Sequence, residues 1–273
     1  MANTSDLSQR VAIVTGGGRG IGRAMAFGLA KAGARVVVTA ARQAPEIEAV
    51  ARESELALGE ARIVPLAADV ARDDDCARTV EFALARFGRL DILVNNAGRG
   101  MKYVSETFMT EPTRFWETSP DAYRLVIDTN VNGPFLMARA AAPAMIRAGW
   151  GRIVNISMNH ETMRRRGFSP YGPSKAALES ATIIWSQDLA GTGVTVNALL
   201  PGGATRTGMI PSGVPEGLRA KLLDAAIVVP PLLWLVSREA DAVTGRRLVA
   251  SRWRADLGGA EAAAAASEEA GWP

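Results

Sequence analysis

Tyr171 and Lys175 are the residues whose types and spacing most directly suggest chemistry. Both lie in SPYGPSK, residues 169–175, four positions apart. In a helix that spacing puts the phenol and the ammonium on one face. A free phenol has a pKa near ~10 and is a poor proton donor or acceptor at neutrality. A neighbouring ammonium favours the phenolate and so assists it. Such a pair can protonate a carbonyl oxygen, or take a proton from a hydroxyl in the reverse direction.

A second constellation is TGGGRGIG, residues 15–22, which follows the apolar run Val11-Ala12-Ile13-Val14. It does not fit GxGxxG, because from Gly16 the third glycine would fall at Ile21. It reads as TGxxxGxG, with Gly16, Gly20 and Gly22. Glycines there let the backbone turn tightly and approach a pyrophosphate, which rests on amides at a helix N-terminus. An acidic residue ~20 positions further on would bind a ribose 2′-hydroxyl. Ala40 occupies that place in VVVTAARQ, with Arg42 just beyond and Arg19 inside the glycine loop. Two guanidinium groups and no carboxylate suit a 2′-phosphate, so NADP(H) is expected over NAD(H).

These residues need a frame, and the hydrophobic pattern supplies one. Strand patterns at 10–14, 35–39, 62–67, 91–94, 152–157, 193–200 and 246–250 alternate with helical ones. The helices start at Ile21, span 45–58 and 73–87, run with interruptions from Ser119 to about 148, and then cover 172–190 and 230–238. Gly33 caps the first, and Ser119-Pro120 opens the long one. Such alternation implies an α/β fold: a Rossmann-like, doubly wound parallel sheet of about seven strands with helices on both faces. No linker divides the chain, so residues 8–250 read as one domain and 251–273 as a low-complexity tail, helical or disordered.

Composition excludes several functions. The chain has 273 residues, 48% hydrophobic and 22% charged, with a net charge of only +3. That excess does not argue for nucleic acid as a partner. Cys76 and His160 are single, which excludes an intramolecular disulfide, a cysteine cluster or a His-pair metal site. The longest apolar run, residues 225–236, is broken by two prolines and cannot span a bilayer. MANTSDLSQR has no signal-peptide pattern, so a cytoplasmic location is expected.

Taken in order, TGGGRGIG, Asp69-Val70, NNAG at 95–98, Asn130 in NVNG, and Tyr171-x-x-x-Lys175 resemble the short-chain dehydrogenase/reductase (SDR) family. Pro201-Gly202 and the late LVSREADAVTG extend the likeness over roughly residues 8–250. The resemblance implies an NAD(P)-dependent oxidoreductase that interconverts a secondary alcohol and a ketone. In it, Tyr171 would be the general acid and base, and Lys175 its activator and a ligand of the nicotinamide ribose. Asn130 would hold a water beside them. The cofactor would contact Gly16, Arg19, Gly20, Ile21 and Gly22, with Asp69 and Val70 flanking the adenine. Asn96, Ala97, Gly98, Pro201, Gly202 and Thr207 would complete its site. The family also implies a small carbonyl or alcohol substrate and a homodimer or homotetramer, with no membrane or nucleic-acid partner.

One position departs from the family. The fifth strand there ends in a serine that orients the substrate oxygen. Aligning IVNIS on it puts Met158 in that place and Ser157 one residue early, which would turn the hydroxyl away. Three readings stay open here. A bulge brings Ser157 into the site; Asn159, His160 or Thr162 supplies the bond; or the protein binds nucleotide with impaired turnover. Arg164, Arg165 and Arg166 are either a solvated cluster or a contact for an anionic substrate. The aromatics and methionines of residues 99–118 form either an apolar lid or a packing surface.

Overall fold

The computed structural model describes residues 6–271. Its strands are β1 Val11–Thr15, β2 Arg35–Ala40, β3 Ile63–Ala67, β4 Ile92–Asn95, β5 Gly151–Ile156, β6 Val194–Leu200, β7 Arg246–Val249 and β8 Ser267–Glu269. The helices are α1 Gly20–Lys31, α2 Ala44–Leu58, α3 Asp73–Phe87, α4 Pro120–Ile127, α5 Gly133–Ala148, α6 His160–Met163, α7 Tyr171–Asp188, α8 Glu216–Arg219, α9 Val229–Leu235 and α10 Gly259–Ala266.

The eight strands form one sheet in the order β3-β2-β1-β4-β5-β6-β7-β8. The first seven pair in parallel, and β8 closes the edge antiparallel to β7. The sheet therefore has one strand more than the sequence pattern shows. Ser267-Glu268-Glu269 carries no apolar signal and is held by pairing with Arg246, Arg247 and Leu248. Alanine-rich α10 packs through Ala262, Ala263 and Ala266, all buried, so most of the tail is part of the folded body. The final two residues of that tail lie outside the described residues.

Alternation along the strands separates two cores. Ala12, Val14, Val36, Val38, Ile92 and Val94 face one, with Leu29 of α1 and Leu232 of α9. Val11, Ile13, Val37 and Leu93 face the other, with Val80 of α3 and Met137 of α5. Both faces are covered by helices, which is why these strands read as continuous apolar runs. The strand order reverses between β1 and β4, and ligands of such sheets bind there, beyond the carboxyl ends of the strands.

Local signals act as their chemistry dictates. The Ser119 hydroxyl accepts from the Asp121 and Ala122 amides ahead of Pro120. Gly33 adopts φ 103° after α1, a conformation that favours glycine. The long helix is interrupted by a π-helical turn at Asp128–Asn132, which separates α4 from α5 and carries Asn130. Among the described residues no helix is long and apolar enough to cross a membrane.

Candidate active site

The glycine loop leaves β1 at Thr15 and enters α1 at Gly20. Gly16 and Gly20 have φ of 64° and 53°, where a side chain would be strained. A Cβ on Gly20 would sit 3.0 Å from Thr207 Cγ2, and one on Gly22 would collide with the Gly16 carbonyl. The loop is held from beneath by β4. Asn96 Nδ2 donates to the Thr15 and Gly16 carbonyls at 2.8 and 3.1 Å. Thr15 Oγ1 accepts the Asn96 and Ala97 amides, both at 3.0 Å. The first turn of α1 carries no acidic residue, so its amides present an uncompensated positive end. A bare backbone cradle at a helix N-terminus fits the pyrophosphate of a dinucleotide.

The cradle opens into a cleft of about 780 Å³. At one end stand Ala40, Arg42, Asp69 and Val70. The Asp69 amide donates to Asp75 Oδ2 at 2.8 Å, and its carboxylate accepts from the Ala71 amide at 3.0 Å, which fixes the turn after β3. Val70 packs on Gly133, where an added Cβ would lie 2.8 Å from Val70 Cγ2. Arg42 is exposed. Arg19 reaches Glu46 Oε1 at 3.4 Å. Glu46 thus brings a carboxylate to this end that the linear sequence does not reveal, because it comes from α2.

At the other end the cleft is lined by Ile156, Ser157, Met158, Asn159, Tyr171 and Lys175. Tyr171 is the first residue of α7, half-buried, and burial pushes its phenol up to about 12. Lys175 lies one turn on, fully enclosed, and burial lowers its ammonium to about 8 while the Glu179 carboxylate works against that shift. Lys175 Nζ donates to the Ile156 carbonyl at 2.7 Å and lies 5.9 Å from the centroid of the Tyr171 ring. Here desolvation is what moves the phenol, in the direction opposite to the one expected from the lysine charge.

Ser157 extends β5, its amide donating to the Leu199 carbonyl at 2.9 Å. It has the strand parity of Asn155, whose Nδ2 donates to Thr182 Oγ1 of α7 at 2.9 Å. Ser157 lines the cleft, and its buried hydroxyl has no hydrogen-bond partner among the described residues. Met158, at the place of the family's serine, lines the cleft beside it. Asn159 donates to the Gly202 carbonyl at 2.9 Å and lines the cleft, as does Thr162. His160 is turned the other way, with Nδ1 3.4 Å from Arg247 Nη1.

Asn130 is fully buried and braces the floor. Its Oδ1 accepts from the Arg99 amide at 2.7 Å, and its Nδ2 donates to the Arg99 carbonyl at 2.9 Å and Ser174 Oγ at 3.0 Å. The Pro201-Gly202 turn, Thr207 and Met209 close the far wall, with Gly202 at φ 94°. The 99–118 segment divides in two. Met101, Tyr103, Phe108 and Met109 line the cleft, and Phe108 packs edge-on against Phe168 at 6.0 Å. Phe115 and Trp116 meet edge to face outside, 71% and 68% exposed. Cys76 is buried, its thiol pushed up to about 12 by desolvation, which fits a packing role.

Sequence reasoning passed over the supports of this site. Thr15 precedes the glycines in plain view, and its hydroxyl is the signal that was available. The buried chain Asn95–Asn155–Thr182, with Asn95 Nδ2 donating to Asn155 Oδ1 at 2.9 Å, joins β4, β5 and α7. Nothing local marks it.

A glycine cradle at the switch point of a doubly wound sheet defines the class, a Rossmann-type dinucleotide-binding protein. The chain belongs to the short-chain dehydrogenase family, whose profile, described as "short chain dehydrogenase", matches residues 10–214. It is 36% identical over 196 residues to a 3-oxoacyl-[acyl-carrier-protein] reductase of Synechocystis sp., covering 72% of this chain and 74% of that one. It is 34% identical over 255 residues to an A-factor type gamma-butyrolactone 1′-reductase (1S-forming) of Streptomyces virginiae, covering 89% and 94%. The crystal structure of a 3-ketoacyl-(acyl-carrier-protein) reductase from Brucella melitensis complexed with NADH superposes with a TM-score of 0.76. That match has 29% identity and covers 87% of this chain and 95% of the other.

Proposed function

We propose that the protein interconverts a secondary alcohol and a ketone, with Tyr171 as the acid and base and with NADP(H) preferred over NAD(H). The observation that carries this reading is the single cleft that joins the glycine cradle to Ser157, Tyr171 and Lys175. The nicotinamide cofactor supplies and accepts the hydride. The chain manages the proton and the substrate oxygen. A donor from the Ser157–Asn159 segment, Ser157 Oγ or Asn159 Nδ2, fixes the position of the carbonyl oxygen. The Tyr171 hydroxyl gives its proton to the same oxygen as negative charge develops there. Lys175, charged at neutrality, faces the phenolate that results. In the oxidation direction the same proton returns to Tyr171. Asn130, whose side chain holds the Arg99 backbone and Ser174, stands beside the pair, where it would hold a water.

The preference for NADP(H) rests on Ala40 in place of a carboxylate and on exposed Arg42 at the adenine end. Against it stand Glu46, which engages Arg19, and the NADH bound to the Brucella melitensis relative. The substrate end is apolar, walled by Phe108, Met109, Met158 and Phe168, with Arg165 stacked 5.3 Å from the Phe168 ring centroid at its rim. A ketone with an apolar flank fits it. The relatives' names support carbonyl reduction. Ile184, 52% exposed on the outer side of α7, supports self-association into a homodimer or homotetramer, which light scattering tests.

A second reading, nucleotide binding with little turnover, is favoured by Met158 at the place of the family's serine, beside the upward shift of the Tyr171 phenol. Fluorescence titration with NADPH and NADH, followed by turnover of a ketone panel, separates the two. Binding without turnover across the panel would favour the second reading, and tighter NADH binding would overturn the cofactor preference.

A further inference from the structure

A charged cluster lies buried behind the substrate end of the cleft. Arg247 on β7 and Glu179 on α7 are 2% and 1% exposed and pair through Nε and Oε1 at 3.2 Å. Arg247 Nη1 donates to Glu268 Oε2 of β8 at 2.6 Å and approaches His160 Nδ1 at 3.4 Å. Its Nη2 donates to the Met158 carbonyl at 2.8 Å. Glu179 Oε2 accepts from the Gly271 amide at 3.1 Å, and Glu268 is also bound by Arg252.

Burying such charges carries a desolvation cost that apolar packing would avoid, so their contribution to stability is not a sufficient reason for them. Their geometry offers another. One planar guanidinium addresses three pieces of chain at fixed angles: α7, the C-terminal strand, and the carbonyl between Ser157 and Asn159. Glu179 is one turn from Lys175 and two from Tyr171, while Met158 follows Ser157. The cluster therefore grips both halves of the proton-transfer machinery from outside the cleft.

We infer that Arg247, latched by Glu268 of the C-terminal strand, is a positioning residue that sets the Ser157–Asn159 segment against the helix carrying Tyr171 and Lys175. The inference rests on the function proposed above. It also assigns a role to the tail: β8 supplies the carboxylate that completes the latch.

The test uses the full chain with two variants. Arg247→Lys keeps one positive charge for Glu179 but lacks the fork that spans Glu268 and the Met158 carbonyl. Glu268→Gln is nearly isosteric at a side chain 31% exposed, and serves should Arg247→Lys fail to fold. Both are expected to lower kcat by about 10–100-fold, with NADPH affinity within about 2-fold of the unaltered protein. Hydrogen exchange is expected to speed up at residues 157–163 and stay unchanged in β1 and β4. A residue that only stabilises the fold would raise exchange throughout and leave kcat of the folded fraction intact. Unchanged exchange at 157–163 in Glu268→Gln, or unchanged kcat, overturns the inference. If the unaltered protein reduces no ketone, the proposed function fails, and the exchange data alone decide whether the latch exists.

Discussion

The Lys175 ammonium donates to the Ile156 carbonyl at 2.7 Å, which ties the helix carrying Tyr171 to the end of the strand carrying Ser157. The lysine is thus held by the backbone beneath the cleft, at a point where burial lowers it to about 8.

That value sets a pH dependence. Below about 8 the ammonium is charged and can offset a phenolate; above it the charge is lost. In ketone reduction kcat/KM, which reports the free enzyme, is expected to fall as pH rises through about 8. Glu179 favours the charged form, so Glu179→Gln should move this limb to lower pH. A limb that stays in place, or moves up, would detach Lys175 from the profile.

Tyr171→Phe removes the proton and keeps the ring. Turnover is expected to drop by about 10²–10⁴-fold, with NADPH affinity retained, since general acid–base catalysis contributes on that order. Residual turnover within a few-fold of the unaltered protein would mean another group delivers the proton.

Ser157→Ala tests the unpartnered hydroxyl. Loss of one donor to a developing oxyanion costs about 10²–10³-fold in kcat. Because that hydroxyl has no partner among the described residues, its removal should leave the Tm unchanged or slightly higher. If kcat survives in Ser157→Ala and falls in Asn159→Ala instead, the donor is Asn159.

At the adenine end, Arg42→Ala should weaken NADPH binding by about 10–100-fold and leave NADH binding unaffected, as expected for loss of a hydrogen bond to a charged group. Equal losses for both nucleotides would show that Arg42 does not read the 2′-phosphate.

In the cradle, Gly22→Ala would drive a methyl group into the Gly16 carbonyl and against the Asn96 amide. Fluorescence titration is expected to show loss of binding for both nucleotides, together with a lower Tm.

The chain's own pattern determined much of this. Apolar runs such as Val11–Val14 and Ile92–Val94, alternating with helical periodicity, sufficed for a parallel sheet covered on both faces, because strand burial is written into local composition. The glycines of TGGGRGIG and the spacing of Tyr171 and Lys175 were legible for the same reason: backbone freedom and an i, i+4 face are local properties. What only the tertiary structure decided involves partners distant along the chain. Ser157, Met158 and Asn159 come to the cleft together with Tyr171 because β5 and α7 pack side by side, which an alignment offset cannot capture. The carboxylate of Glu46 reaches Arg19 from α2, 27 residues away. Arg247 meets Met158 across 89 residues, and the polar strand Ser267–Glu269 is a strand only because β7 offers it an edge. Such contacts leave no periodic trace, since a buried ion pair or an added edge strand depends on what folding brings alongside it.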